Sequence, residues 1–586
     1  MNTKTENRNC QNCKQDFQIE PEDFNFYEKI KVPPPTFCPE CRRSRRWLWR
    51  NERTYYKRKC DAPGHSENII SLYSPEQKRT VYCQEYWWSD EWDAISYGKN
   101  YDFSKPFLEQ YGELIAGIPI IALSNTQAVN SEYCSSAGWN KNCYLISAAG
   151  WNENVSYSNR VFHSKDSMDM YSVDSCDSCY SSSFCDKSYK LFFCFKCNNC
   201  VDSHFLYNCR NCTNCFGCVN FVNKNYCIFN EQYSREEYLA KLKEFDLGSY
   251  QNLQNIKKIV YEEVYLKSIH KFADIINCPS STGDYLQNSK NCKNCFDFKG
   301  DNNENCKYVN LSGFNAKELY DTGPGAGWGS ILLYEGVDIN DSSNIISSVV
   351  CYDSTNCAYC FNIQNSNFLF GCYGLQKKNY CILNKQYSKE EYEELLPKII
   401  KHMSDLPYID KAGLIYKYGE FFPSEISPFA YNETVAQEYF PLTKEDGVRG
   451  GYRWQDPETR SYKIDIEHGA IKDHINEAVE DIINKVISCA HMGQCKDQCT
   501  EAFKIVAEEF SFYKRMNLPL PRLCPNCRHY ERLRQRNPMK LWHRACMCEK
   551  ENHIHQGKCE VEFETSYAPD RPEIVYCEKC YQQEVY

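Results

Sequence analysis

Lys141-Asn142-Cys143-Tyr144, Glu153-Asn154-Val155 and Lys165-Asp166-Ser167 open a series that continues as Lys187-Ser188-Tyr189, Asn198-Asn199-Cys200 and Arg210-Asn211-Cys212. The steps between second residues are 12, 12, 22 (two steps of 11), 11 and 12. A short, near-constant period with small residues at matched positions marks a stacked-repeat fold. Alternation of period two inside each phrase reads as a strand, so the sum reads as a parallel β-solenoid. Asn at the edge of each phrase would sit in turns, because it tolerates left-handed geometry. One coil could hold one phrase or two.

The repeat region itself occurs twice. Phe216-Gly217-Cys218 and Tyr226-Cys227-Ile228 return 154 residues later as Phe370-Gly371-Cys372 and Tyr380-Cys381-Ile382. Each copy ends in Tyr-Ser-x-Glu-Glu-Tyr, where Ser234 or Ser388 is a good N-cap for a helix that would close the open end. Gly323-Pro324-Gly325 and the glycines after it read as a turn interrupting the second copy.

The two ends of the chain are also copies. A shift of 486 aligns Cys13–Cys60 with Cys499–Cys546 without a gap, with 18 of 48 positions identical. Each copy carries paired knuckles. Cys10, Cys13, Cys38 and Cys41 form one set of four thiols, and Cys495, Cys499, Cys524 and Cys527 form the other. Four thiolates from two knuckles suit the closed tetrahedral site that Zn²⁺ prefers. Alternating aromatics at Phe24, Phe26 and Tyr27 suggest a short strand between the knuckles.

A second site follows in each module. At the C-terminus Cys546, Cys559, Cys577 and Cys580 make a third complete set, giving about three structural zinc ions. Its N-terminal counterpart keeps Cys60, His65 and Cys83 and lacks a fourth ligand, because Tyr86 falls where Cys580 stands. Cys548, His553 and His555 are further candidate ligands, and His555 could replace one of the four thiols.

The expected architecture is therefore multidomain and mainly β, with two tandem Cys/Asn/Tyr-rich solenoid regions flanked by duplicated zinc-ribbon-like modules. Residues 1–95 are the N-terminal module and 96–124 a connector with a short helix. Residues 125–235 are the first solenoid and 236–274 a helical cap. Residues 275–387 are the second solenoid and 388–465 a helical cap with a mixed linker. Residues 466–586 hold a helix, drawn around Ile475, Val479, Ile482, Ile483 and Val486, and the C-terminal module.

Charge is uneven. The net charge is −10, yet Cys41–Cys60 holds nine Lys/Arg against one acid and Cys527–Cys546 six against one. Arg42, Arg43, Arg45, Arg46 and Arg50 interleave with Trp47 and Trp49, a pattern suited to RNA or another polyanion through charge and base stacking. The 38 cysteines follow a polar N-terminal stretch with no signal-peptide core, and the longest apolar run, Leu114–Leu123, is about half a membrane span. A cytoplasmic chain of thiols and metal ligands, with no membrane association, follows from that reading. Within the repeats, Cys194-x2-Cys197-x2-Cys200 and the run from Cys209 to Cys218 have iron–sulfur-like spacing. In the second copy Ile363, Ser366 and Leu369 replace Cys209, Cys212 and Cys215, so core filling is the favoured role.

Together, the duplicated Cys-Pro-x-Cys-Arg motif, Arg50-Asn51-Glu52, Ser89-Asp90-Glu91-Trp92-Asp93 and Phe563-Glu564-Thr565-Ser566-Tyr567-Ala568-Pro569-Asp570-Arg571-Pro572-Glu573 carry a family likeness. The chain resembles a group of uncharacterised large zinc-ribbon or treble-clef-like proteins of uncultivated ultra-small bacteria. The resemblance implies structural zinc at the quoted cysteines and brings no activity. The function expected is a zinc-stabilised, non-enzymatic scaffold contacting RNA or another polyanion through the arginine-rich segments. The alternatives are a metal-dependent hydrolase at Cys60, His65 and Cys83, and a protein-assembly platform on the solenoid faces.

Overall fold

The computed structural model describes residues 5–456 and 463–585, so the part of the expected mixed linker at 457–462 lies outside the described residues. The chain is rich in short strands, with helices at the cysteine modules and after each repeat region.

In the first repeat region the strands run parallel and each pairs with the chain twelve residues on. Asn159 pairs with Tyr171, Tyr189 with Val201, Val201 with Thr213 and Thr213 with Asn225. Single bridges carry the same step from Lys141 to Glu153, Lys165, Asp177 and Tyr189. The second region keeps the step of twelve from Ile331 through Ser343, Thr355 and Asn367 to Asn379. It is wider earlier, where Phe296 pairs with Asn310 and Lys317 with Ile331. The second of these widenings holds the glycine-rich turn, as its composition suggests.

The local rhythm differs from the expected alternation. From Ser136 to Phe229 every third residue has positive φ. The residue directly after each left-handed one turns inward, which is why Cys143, Cys200, Cys209, Cys212 and Cys215 are all buried. The unit is thus a triplet, and four triplets make the step of twelve. "Asn-Cys" reads as a left-handed residue followed by an inward one, and Asn is among the few side chains that accept that backbone cheaply. The irregular steps of 22 and 11 also resolve. Asp166 and Lys187 are both left-handed and stand seven triplets apart, so Lys187, not Ser188, continues the frame. Asn side chains stack along the outside, with Asn199 donating to Asn211 at 2.8 Å and Asn211 to Asn223 at 2.9 Å.

The inward thiols behave like serines. Ser203 accepts from the Cys215 amide at 3.1 Å and donates to the Val201 carbonyl at 2.8 Å. Cys209 donates to the carbonyls of Tyr207 and Cys218, both at 3.4 Å. All 38 cysteines are free of disulfides.

Both ladders end alike. Asn225–Ile228 turns back on Glu231–Gln232, and Asn379–Ile382 on Lys385–Gln386. A helix follows each, Arg235–Glu244 and Lys389–Asp405, with Ser234 and Ser388 as N-caps in capping boxes with Glu237 and Glu391. Two other local readings are corrected. Phe24, Phe26 and Tyr27 lie in the helix Pro21–Lys29, started by Pro21 and a Glu20–Asp23 capping box. The helix expected around Ile475–Val486 is instead a chain of single turns, Ile475–Glu477 and Glu480–Ile482, leading to the strand Ile487–Ser488. Its backbone is taken by tertiary partners, as the Ile475 amide donates to Gly248 and its carbonyl accepts from Lys514.

The two halves of the chain are packed crosswise. The N-terminal module shares one core with the second ladder, where Phe26 stacks on Tyr320 with ring centres 3.8 Å apart. The C-terminal module shares a core with the first ladder, through Phe510, Phe512 and Tyr513 against Tyr157, Met168 and Tyr180. Each module's last strand does the reverse. Val81–Tyr82 pairs with Ile120–Ile121 just before the first ladder, and Ile574–Tyr576 pairs with Ile269–Lys271 just before the second.

Candidate metal centres

Each cysteine cluster is built from a strand end and a helix start. In the first, Cys10 follows the strand Glu6–Asn9, and Cys38 is the N-cap of the helix Pro39–Trp47, which puts Cys41 in its first turn. The positive end of the helix favours thiolates there. The sulfurs of Cys10, Cys13, Cys38 and Cys41 lie within 4.8 Å of one another. The Cys38 amide donates to Cys10 Sγ at 3.2 Å, and Asn12 donates to Cys41 Sγ at 3.4 Å. The hydrogen bond from the Cys41 side chain draws the Cys38 thiol down to about 5, against the effect of burial. Such a donor set fits a tetrahedral ion, and zinc in modules of this size contributes about 10–16 kcal/mol to folding.

The amide-to-sulfur bond recurs in every cluster and reveals true counterparts. The Cys524 amide donates to Cys489 Sγ, the Cys577 amide to Cys546 Sγ and the Cys83 amide to Cys60 Sγ, each at 3.2 Å. Cys489, which follows the strand Ile487–Ser488, therefore stands where Cys10 does. The compact set is Cys489, Cys499, Cys524 and Cys527. Cys495, assigned to that position by sequence spacing, lies beside it with its sulfur 3.7 Å from Cys527 Sγ. The knuckle between Cys489 and Cys499 is enlarged and Cys495 falls inside it, so five sulfurs gather at this cluster.

Cys546, Cys559, Cys577 and Cys580 form the third compact set, all buried. In the fourth cluster Cys60, His65 and Cys83 come together as expected, and Glu67 joins them. Glu67 Oε1 is 2.8 Å from His65 Nδ1, itself 3.5 Å from Cys83 Sγ. Burial pushes the Cys83 thiol up to about 11. Tyr86 packs its ring against His65 instead of supplying a ligand. Cys548, His553 and His555 gather around Cys580 as a further group.

The arginine-rich stretch is placed otherwise than expected. Arg42 meets Asp321 at 2.9 Å, Arg46 meets Asp321 at 3.4 Å and Glu335 at 3.1 Å, and Arg45 meets Glu335 at 2.8 Å and Glu420 at 3.1 Å. Arg50 is held by Glu52 and Asp338. Arg43 donates to the Met539 carbonyl at 2.7 Å and lies over Phe440, and burial lowers it to about 10. Trp47 and Trp49 are 0% and 3% exposed, the former donating to the Gly323 carbonyl. Six of these seven residues are interior and Arg43 is half-buried, so together they do not present the polyanion surface their composition suggested. The second copy repeats the arrangement on the first ladder, where Arg528 and Arg532 meet Asp169 at 3.0 and 2.8 Å.

Most of the partners (Asp321, Glu335, Asp338 and Asp169) are ladder carboxylates far away in sequence, invisible to local reading. Burial raises Glu335, Asp338 and Glu509 above the ordinary carboxylate range, with the arginines opposing it. The modules also touch one another, as Arg53 donates to Asn526 Oδ1 at 2.8 Å. Among the described residues, no helix is long and apolar enough to cross a membrane. No protein-family model and no curated protein matches this chain.

Proposed function

We propose that the chain is a zinc-stabilised, non-enzymatic scaffold made of two parallel β-solenoids, each clamped by the zinc module from the other half of the chain. The step-of-twelve registers and the left-handed residue at every third position support the solenoid reading. The observation that carries the scaffold reading is the fate of the arginines. Arg42, Arg45, Arg46, Arg528 and Arg532, from the most basic segments of the chain, are buried against Asp321, Glu335 and Asp169, so their charge serves internal cohesion. The solenoid faces remain as surfaces for protein partners. A polyanion partner would need cations other than those of the helix Pro39–Trp47. The unpaired cysteines suit a reducing, cytoplasmic setting.

A hydrolytic reading has one observation in its favour, the approach of Glu67 to His65 beside Cys60 and Cys83. His65→Ala tests it, because an unchanged zinc content and an unchanged activity would remove it. For the scaffold, elemental analysis of the full chain decides. At least three zinc ions and no iron are expected from the complete four-thiol sets. Iron at several equivalents would overturn the core-filling role of the ladder cysteines.

A further inference from the structure

The geometry points to a further metal ion in the C-terminal module, held by Cys548, His553 and His555 and sharing the sulfur of Cys580 with the ion of the set Cys546, Cys559, Cys577 and Cys580. It rests on reading Cys546, Cys559, Cys577 and Cys580 as a metal site. Cys580 belongs to both groups, and within each group the ligand atoms lie within 4.8 Å of one another. One thiolate can bridge two cations because sulfur retains further lone pairs after binding the first.

The histidines are oriented as metal ligands are. His553 Nε2 faces Glu584 Oε1 at 2.8 Å, and its Nδ1 faces Cys548 Sγ at 3.2 Å. His555 Nδ1 faces the Gly557 carbonyl at 2.8 Å, and its Nε2 faces Cys580 Sγ at 3.3 Å. A carbonyl only accepts, so His555 Nδ1 carries the proton and its neutral ring presents a bare Nε2 lone pair to Cys580. The same logic leaves His553 Nδ1 bare, since the Glu584 carboxylate takes the Nε2 proton. A carboxylate or carbonyl behind each imidazole is the arrangement that fixes the tautomer of a ligating histidine.

With neutral imidazoles, hydrogen bonding does not satisfy this cluster once the four-thiol set is loaded. Cys580 is then a thiolate with no proton to give, and it faces a lone pair. A cation between them turns two opposed donors of electron density into two ligands. Two thiolates and two imidazoles are a tetrahedral set that suits zinc.

Zinc per full-length chain, measured by elemental analysis and native mass spectrometry, tests the site. The His553→Ala/His555→Ala double variant should hold one zinc fewer than the unaltered chain, and Cys548→Ser should show the same loss. An unchanged count in both variants overturns the inference and leaves protonated histidine against thiolate as the account of the contacts. No zinc in the unaltered chain would instead overturn the four-thiol reading beneath it. Loading the unaltered chain with ¹¹³Cd avoids dependence on any variant. Two cadmium resonances that split one another through the shared sulfur are expected, and a spectrum in which every resonance is single contradicts the bridge.

Discussion

At the residue scale, the buried ion clusters decide more than the surface charges do. Asp321 faces both Arg42 and Arg46, and Asp169 faces both Arg528 and Arg532. Taking away one side of such a cluster leaves guanidinium charge in a dry interior, so Asp321→Ala and Asp169→Ala should each destabilise by about 3–5 kcal/mol in chemical denaturation. A loss below about 1 kcal/mol would mean that the clusters are wet and weak. Glu438 is the residue whose titration should be seen. It lies 3.3 Å from His529 and 3.9 Å from Arg53, and burial pushes it from an ordinary value of 4.5 to about 7, with Arg53 and Arg536 opposing. An acid raised in the folded state contributes stability that is fully present below pH 4.5 and lost as pH rises through about 7. Glu438→Gln removes that loss, so its stability relative to the native chain should climb by on the order of 3 kcal/mol across this window. His529, held neutral by burial, has the opposite trend and remains in both chains. A flat difference between the two pH profiles would contradict the burial of Glu438. The cysteine pairs were legible because ligand spacing is local. Cys489 was not, because it stands outside the usual spacing and shows itself only through the bond from the Cys524 amide.

At the element scale, the triplet explains what the sequence showed and what it hid. Asn before Cys was visible as a motif because both residues have a strict job, one left-handed and one inward. The period of three was hidden because the inward position accepts Cys, Ser, Leu, Val and Met alike, and the left-handed position accepts Phe193, Tyr226 and Lys187 where packing holds them. Asn211, at φ 52° and stacked between Asn199 and Asn223, gives a direct check. Asn211→Val should cost about 1–2 kcal/mol from the left-handed backbone alone, whereas Asn211→Gly keeps that backbone accessible and should cost less. Equal stability of the two variants, measured by thermal unfolding, would contradict the left-handed assignment. The helix caps Ser234 and Ser388 were legible for the same local reason. The stretch Ile475–Val486 was not, because its apolar spacing fits a helix while its backbone hydrogen bonds go to Gly248 and Lys514, contacts set by tertiary packing.

At the scale of the whole molecule, the duplication accounts for both the cysteine modules and the ladders, and the crosswise packing joins them. The N-terminal helix Pro39–Trp47 reaches Asp321 and Glu335 across roughly half of the chain, and the C-terminal helix Pro525–Arg534 reaches back to Asp169. Internal repeats made the two halves legible. Which half docks on which depends on contacts between segments hundreds of residues apart, for which local periodicity and spacing carry no signal. A metal ion at Cys10, Cys13, Cys38 and Cys41 would therefore support a ladder that begins far downstream. The most direct test is hydrogen exchange, read by mass spectrometry, on full-length chains carrying Cys38→Ser/Cys41→Ser or Cys524→Ser/Cys527→Ser. The first pair should deprotect the second ladder around 317–340 while sparing 157–180, and the second pair should do the reverse. Deprotection confined to each module, or spreading to the ladder of its own half first, would contradict the crosswise clamp.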